Sequence, residues 1–598
     1  MADPTQTHTP PVKQLGSPQG ASRLLTQYPW LSGYSGRIFT EDLIAAIIVT
    51  ILLVPQSLAY ALLAGLPPQA GIYASIFPLA VYALLGSSRQ LSVGPTAVVS
   101  LMTAAAIAAI PEGQRLVSAA ALALMTGAFM LVFGVLKAGF IMNFVSRPVV
   151  SAYITGAGLL IIISQLRHVF GVEAEGQTAL ALLRSLMSSL SETKNAAFLI
   201  GAGSIASLWS IKKYLAAGLV QLGTGQGAAL IISRIAPVFV VVIAIVISAG
   251  MDLSGKYGLR VVGDIPSGLP SFMFPEMGAA AYKALIVPAL VIAIVAFVDS
   301  MTIAQTLAAR TRNRIDSNKE LLGLGVSNLF AGMTGGYPVN GSLSRSAVNL
   351  SAGAQTPLSG VLAAILMALT ALLLTPYLFA LPLATLAALI IVACFSMMEF
   401  KNLWRTWVYS RADGLTAVAT FLSVLLLGVQ WGVLVGVVLA MILHIRATLR
   451  PHMAQVGRFP GTQHYRDAER FNVETDPEVV TLRIDESLYY ANARYLEDKV
   501  ARLLNENPEI TDLVLMCPAV NKIDASALSS LHEINKRLIS ANVKLHISEM
   551  HSHVRERLHR SDFIGQMSGR IFLSQHEAME YLRPEPDWSQ LSDHIDIH

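Results

Sequence analysis

Between about residue 40 and residue 450 the chain repeats one pattern: a long apolar run, a short polar break, another apolar run. The runs fall at roughly 41–63, 70–87, 93–110, 116–136, 148–165, 195–211, 235–250, 284–308, 319–334, 341–353, 357–375, 378–397, 413–429 and 431–445. That is about fourteen, and many approach the ~20 apolar residues with which a helix crosses a bilayer. Residues 178–191 form a weaker apolar patch that reads as an interfacial helix. The segment 252–283 carries Gly255, Pro266, Pro270 and Pro275 and reads as a loop at the midpoint. Beyond residue 450 the pattern changes. Val479–Ile484, Leu513–Cys517 and Val543–Ser548 read as buried strands, and Ala493–Asn505 and Ala525–Ala541 as amphipathic helices. Such alternation predicts a small α/β domain.

Composition supports the division. Of 598 residues, 54% are hydrophobic and only 13% charged, about half the charged share of a soluble domain. The net charge of +4 gives no reason to expect nucleic acid. Cys394 and Cys517 lie in different regions, so no disulfide framework is expected. The N-terminus lacks the pattern of a signal peptide. No nucleophile triad, metal-ligand spacing or phosphate-binding loop is present, so no enzyme, cofactor or metal site is predicted. Basic residues fix an expected orientation. Lys13, Arg23 and Arg37 precede the first run, and Arg89, Lys137, Lys212, Lys213, Arg310, Arg312, Arg314, Lys319, Lys401, Arg405, Arg411, Arg446 and Arg450 fall on the same side. With that side cytoplasmic and an even number of spans, both termini are inside.

One apolar run is interrupted in an instructive way. Gly335-Gly-Tyr-Pro-Val-Asn340 leads into Gly341-Ser-Leu-Ser-Arg-Ser-Ala-Val-Asn-Leu350. This stretch is too polar and short to span, and is tolerated at membrane depth only beside protein or a water-filled cavity. Leu91-Ser-Val-Gly-Pro-Thr-Ala-Val-Val-Ser100 echoes it in the first half, as Gln56-Ser57 echoes Asp299-Ser300. Seven spans per half is odd, so the second copy must be inverted; interrupted segments at matching positions point to a transporter site. Gly94 and Pro95 suit a helix start, with Thr96 in the first turn. Helices beginning near Pro95 and Ser342 would aim two positive ends at one anion.

Two ionisable side chains fall mid-membrane, Asp299 and Arg345, where each needs a reason to be. Arg345 reads either as an anion ligand or as a structural ion paired with Asp299 or a helix end. Asp299 reads either as a site for a coupling H+ or Na+ or as the fixed partner of Arg345. Gln56 and Tyr60 are candidate ligands or packing residues, whereas Thr96 and Ser344 sit at helix starts in both repeats. In the tail, Asp524 caps a helix that carries Ser526; the pair is either an ordinary cap or a regulatory position.

At these residues the chain resembles the SulP family of anion permeases, the sulfate-permease relatives. The likeness rests on Val54-Pro-Gln-Ser-Leu-Ala-Tyr60, Ala64-Gly-Leu-Pro-Pro-Gln-Ala-Gly-Ile-Tyr-Ala74, Ser88-Arg-Gln-Leu-Ser-Val-Gly-Pro95 and Ser342-Leu-Ser-Arg345, and on a tail similar to the STAS domain. It implies a polytopic α-helical membrane protein of about fourteen spans in a seven-plus-seven inverted repeat, with a cytoplasmic C-terminal α/β STAS domain. The expected divisions are an arm at 1–36, repeats at 37–250 and 284–450 joined by 251–283, the STAS domain at 451–585 and a tail at 586–598. The resemblance implies an anion site of Gln56, Thr96, Ala97, Leu343, Ser344 and Arg345, with Tyr60 nearby. It also implies cation coupling at Asp299, with Ser300 and Ser342 grouped beside it, and regulation at Ser526. The expected activity is cation-coupled (H+ or Na+) uptake of a small anion, sulfate first, by an elevator movement in an inner-membrane homodimer whose STAS domain binds a cytoplasmic partner. Bicarbonate or dicarboxylate transport and an uncoupled channel or exchanger are the alternatives.

Overall fold

The computed structural model describes residues 34–140, 146–176, 178–311 and 314–584. The arm up to residue 33 with Lys13 and Arg23, Arg312, and the tail 586–598 lie outside the described residues. The chain divides into two compact units, 1–440 and 441–598.

The first unit is helical. Its first half contains α1 (Gly36–Leu63), α2 (Pro68–Tyr73), α3 (Phe77–Leu85), the two-residue strand β1 (Val93–Gly94), α4 (Ala97–Ile107), α5 (Arg115–Val135), α6 (Arg147–Phe170), α7 (Asn195–Ser210) and α8 (Pro237–Gly250). The second half contains α9 (Ala279–Thr311), α10 (Ser317–Met333), β2 (Asn340–Gly341), α11 (Leu343–Ser351), α12 (Leu358–Leu373), α13 (Leu383–Met397), α14 (Phe400–Tyr409), α15 (Arg411–Leu427) and α16 (Val429–Leu449). Every one of the fourteen apolar runs holds a helix. Seven described segments, at 36–63, 68–85, 112–135, 147–170, 279–309, 383–409 and 431–449, are long and apolar enough to cross a membrane.

Several departures have plain causes. The run 70–87 is two helices broken at Ala74–Ile76. A Cβ on Gly71 would lie 1.9 Å from the Ser57 carbonyl oxygen, so only glycine lets α2 approach α1 this closely. The stretch 211–235, expected as a connection, is helical: a π turn at Ile211–Leu215 and helices at Ala216–Gln221 and Gln226–Ile235. The expected midpoint loop holds a helical turn at Leu253–Tyr257. The amphipathic α14 was hidden because Lys401 and Arg405 dilute its hydropathy. Where an interfacial helix was expected, at 178–191, a helix is present at Ala179–Ser189.

Two further carboxylates are fully buried, Asp42 and Glu320, so burial of charge is not confined to the two residues singled out from the sequence. Glu320, early in α10, accepts bonds from the Tyr82 hydroxyl (2.7 Å), the amides of Ser87 and Ser88 (both 2.9 Å) and the Ser87 hydroxyl (2.7 Å). Asp42, early in α1, accepts from the amides of Gln355 (2.8 Å) and Thr356 (3.1 Å) and the Thr356 hydroxyl (2.6 Å). Each carboxylate exchanges its hydration for several fixed donors, which makes burial tolerable. One fastens the chain leading into β1, the other the chain leaving α11.

The C-terminal unit is a six-stranded sheet, order β4-β3-β5-β6-β7-β8, formed by β3 (Met453–Arg458), β4 (Tyr465–Asp467), β5 (Val479–Ile484), β6 (Asp512–Met516), β7 (Lys544–Ser548) and β8 (Ile571–Phe572). Strands β5 to β8 are parallel, and β3 runs antiparallel to both neighbours. Helices α17 (Ala493–Glu506), α18 (Ala525–Ser540) and α19 (Gln575–Leu582) flank it, with shorter turns at Ser552–His559 and Phe563–Gln566. The three predicted strands and two predicted helices are present. The hairpin β3–β4, β8 and α19 were not predicted.

Candidate functional site

The strands β1 and β2 are short, but they decide where the two broken helices begin. They pair antiparallel, Val93 opposite Gly341 and Gly94 opposite Asn340, as inverted copies of one motif would. The Ser342 amide extends the pairing to the Ser92 carbonyl at 3.0 Å. The chain then turns into α4 on one side and α11 on the other. At 11 and 9 residues these helices are about 16 and 14 Å long, half of a bilayer core. Their N-caps, Thr96 and Ser342, do not bond the first-turn amides with their side chains. Two sets of helix-start N–H groups are therefore left for a ligand.

Arg345, in the first turn of α11, is fully buried. Its Nη1 donates to the Pro95 carbonyl (2.9 Å) and to Gln56 Oε1 (3.4 Å). Its Nε and Nη2 have no hydrogen-bond partner. No carboxylate lies within ion-pair distance of it among the described residues, so the pairing with Asp299 that the sequence left open is not made. An enclosed guanidinium with unmet donors is costly unless an anion completes it. Gly94 makes room for it: a Cβ there would lie 3.3 Å from Nη2.

The structure brings most of the expected residues to this place. Gln56 and Thr96 are half-buried, and Leu343 and Ser344 are exposed. Ser342 Oγ and Ser344 Oγ lie 3.3 Å apart. Ala97 and Tyr60 are buried in one apolar cluster with Leu53 and Ile72, where they pack. Asp299 and Ser300 lie on α9 and hold β2 from the other side. The Gly341 amide donates to Ser300 Oγ at 2.8 Å, and Asn340 Nδ2 donates to Asp299 Oδ2 at 2.7 Å. Asn340 Oδ1 in turn accepts from Thr96 Oγ1 at 2.5 Å. Asn340 was missed as a site residue although it ends the quoted Gly-Gly-Tyr-Pro-Val-Asn loop. Tyr337 of the same loop is buried, with its hydroxyl 3.1 Å from Ser100 Oγ.

The sequence matches the family described as the Sulfate permease family over residues 39–420 and the STAS domain over 470–578. The chain belongs to the sulfate permease family. It is accordingly a multi-pass membrane protein and an anion transporter, not an enzyme. It is 32% identical over 571 residues to a probable sulfate transporter of Mycobacterium tuberculosis, covering 94% of this chain and 99% of that one. Its fold is similar to the murine Solute Carrier 26 family member A9 anion transporter in the inward-facing state (TM-score 0.82, 24% identity, 96% and 97% of the two chains). It is also similar to the transmembrane domain of a cyanobacterium bicarbonate transporter, BicA (TM-score 0.57, 23% identity, 68% and 98%).

In this permease the two residues expected to regulate belong to the C-terminal unit. Asp524 caps α18, accepting from the Ala527 amide (2.9 Å), and also accepts from the Tyr490 amide (2.9 Å). Slight desolvation would raise its pKa, but the backbone N–H groups of Ala527, Tyr490 and Ser526 outweigh it and hold the carboxyl below its ordinary value. Ser526 is exposed in the first turn.

Proposed function

We propose that this permease is a secondary active transporter that carries a small oxyanion, sulfate before bicarbonate or a dicarboxylate, together with H+ or Na+. The observation that carries this reading is Arg345: fully buried, with Nε and Nη2 unmet, between two helix N-termini. A tetrahedral dianion matches such a donor set, and the M. tuberculosis relative, named a sulfate transporter, favours sulfate. Asp299, linked through Asn340 to the start of α4, is the coupling residue. Transport proceeds by an elevator movement of the helices that carry the recess. The protein is a homodimer in the inner membrane with both termini and the STAS domain in the cytoplasm. The repeats occupy 37–250 and 284–450, and Ser526 is a contact or phosphorylation position for a cytoplasmic partner. The test is uptake of radiolabelled sulfate by proteoliposomes, with and without a pH or Na+ gradient, against competing bicarbonate and dicarboxylates. Uptake that follows one gradient is expected. Absence of flux under every gradient would reject the reading, and gradient-independent conductance would make the protein a channel.

A further inference from the structure

The link from Asp299 to Thr96 is a chain of three side chains, and an ionised Asp299 fixes the direction of each hydrogen bond along it. An ionised carboxylate can only accept. Asn340 must therefore turn its NH2 group to Asp299, as it does at 2.7 Å, and its carbonyl oxygen to Thr96. The Thr96 hydroxyl then has to spend its single proton on Asn340 Oδ1, as it does at 2.5 Å. In that arrangement the Thr96 hydroxyl, beside the free N–H groups of α4, turns only oxygen lone pairs to the recess, which repel an anion. A protonated carboxyl reverses the order. Its O–H donates to Asn340 Oδ1, the amide turns over, and the NH2 group donates to Thr96 Oγ1. The hydroxyl proton is then free to point at the anion.

We propose that Asn340 is a proton-linked amide switch: proton uptake at Asp299 turns the Asn340 side chain over and converts Thr96 from a group that repels the anion into one that donates to it. This deepens the coupling reading given above and rests on it. Asn340 is a positioning residue, acting on the anion through Thr96. It is well placed for the task, because its backbone is fixed by pairing with Gly94 while its side chain bonds, among the described residues, to Asp299 and Thr96. The step is a proton transfer alone. The proton comes from the aqueous side that the recess faces and leaves with the anion on the other. The arrangement favours H+ over Na+, since an amide N–H2 group aimed at Asp299 Oδ2 occupies the place where a metal ion would sit.

The surroundings contain little that would blur the signal. From α6, Tyr153 faces Asp299 across a cavity of about 20 Å3 otherwise lined by Val149, Val150, Val298 and similar side chains; its hydroxyl donates to Met102 Sδ at 3.3 Å. That volume holds about one water molecule. From α10, Glu320 is committed to Tyr82, Ser87 and Ser88. From α5, the ionisable side chain is Arg115, at the far end of the helix. From α11, Arg345 is bonded to Pro95 and Gln56.

The experiment is sulfate uptake by the full chain in proteoliposomes, with KM measured over about two pH units around neutral for wild type, Asp299→Asn, Asn340→Ala, Thr96→Val and Thr96→Ser. Wild-type KM should rise with pH, approaching about tenfold per unit above the relevant pKa for one linked proton. Asp299→Asn, a permanently neutral donor, should hold KM near the wild-type low-pH value at every pH. Asn340→Ala and Thr96→Val should both flatten the dependence, and Thr96→Ser should restore it. If Asn340→Ala does not fold, Thr96→Val decides, because it is nearly isosteric. A retained wild-type slope in Thr96→Val or in folded Asn340→Ala, with Asp299→Asn flat, overturns the switch and leaves coupling at Asp299 standing. A retained slope in Asp299→Asn, or no slope in wild type, overturns proton coupling at Asp299 and the switch with it.

Discussion

Arg345 and Arg583 are both guanidinium groups placed by tertiary structure, yet their surroundings are opposite. Arg583, in the C-terminal unit, donates from Nε to Asp476 Oδ2 at 2.9 Å and from Nη2 to Glu478. Arg483 of the same unit is matched in the same way by Asp485, at 2.7 and 3.1 Å. In the membrane unit, Arg345 meets a carbonyl and an amide oxygen and no carboxylate. The contrast separates two uses of charge. In the STAS domain a charge is completed by the fold and serves the fold. At Arg345 it is left incomplete, and in the proposed function an anion completes it. Asp42 and Glu320 show that incompleteness is not general in the membrane unit, since both carry full sets of donors.

The sharpest way to break this comparison is to delete the incomplete charge. Arg345→Ala should weaken sulfate affinity by about 100-fold or more, from the loss of charged hydrogen bonds worth about 1.5–3 kcal/mol each. It should leave thermal stability unchanged or raised, because an uncompensated buried ion is removed. Affinity is read from flux or calorimetry and stability from the unfolding midpoint of the apo protein. Equal loss of both would make Arg345 a structural ion like Arg583.

A milder intervention keeps the charge and moves it. Gly94→Ala places a methyl group 3.3 Å from Arg345 Nη2. We expect KM to rise by roughly fivefold to tenfold, about 1–1.4 kcal/mol, while protein abundance stays close to wild type. An unchanged KM would show that Nη2 is not in the anion's path.

The smallest effect is expected where charge serves only the fold. His546 on β7 lies 3.0 Å from Asp512, but desolvation outweighs that carboxylate and lowers its pKa from the ordinary 6.5. A histidine with a lowered folded-state pKa binds its proton more readily when unfolded. Its contribution is therefore complete above about 6.5 and declines as pH falls through that value. Amide exchange in β6 and β7 of the full chain, corrected for intrinsic rates, should accelerate a few-fold on acidification, and His546→Gln should remove the dependence. Sulfate flux should not follow this change.

Much of the fold could be read from the chain because its cues are local. Apolar runs bounded by polar breaks marked α1 to α13, α15 and α16, and Gly-Pro-Thr before an apolar stretch marked the start of α4. Helix α14 escaped because its apolar residues share a turn with Lys401 and Arg405. The strand β4 escaped because it has only three residues, and β3 because Gln455, Gly457 and Arg458 interrupt its apolar positions. At the candidate site, Thr96, Ser344 and Arg345 were legible as polar residues at broken helices, and Gln56 as a polar residue inside an apolar run. Asn340 was not, because its meaning lies in partners 41 and 244 residues away. The same distance hid Asp42 and Glu320, whose donors come from segments more than 200 residues distant.

By itself, then, the order of residues determined that this chain must live in a bilayer, that two of its helices must stop halfway, and that a cation would stand at one of the stops. Those outcomes follow from hydration costs and backbone preferences, which act over a few residues at a time. Only the folded molecule decided that β1 and β2 pair, that the arginine stays without a carboxylate, and that an asparagine joins Asp299 to Thr96. Those depend on which remote groups come within hydrogen-bonding reach, and that is settled by packing the two inverted halves against each other.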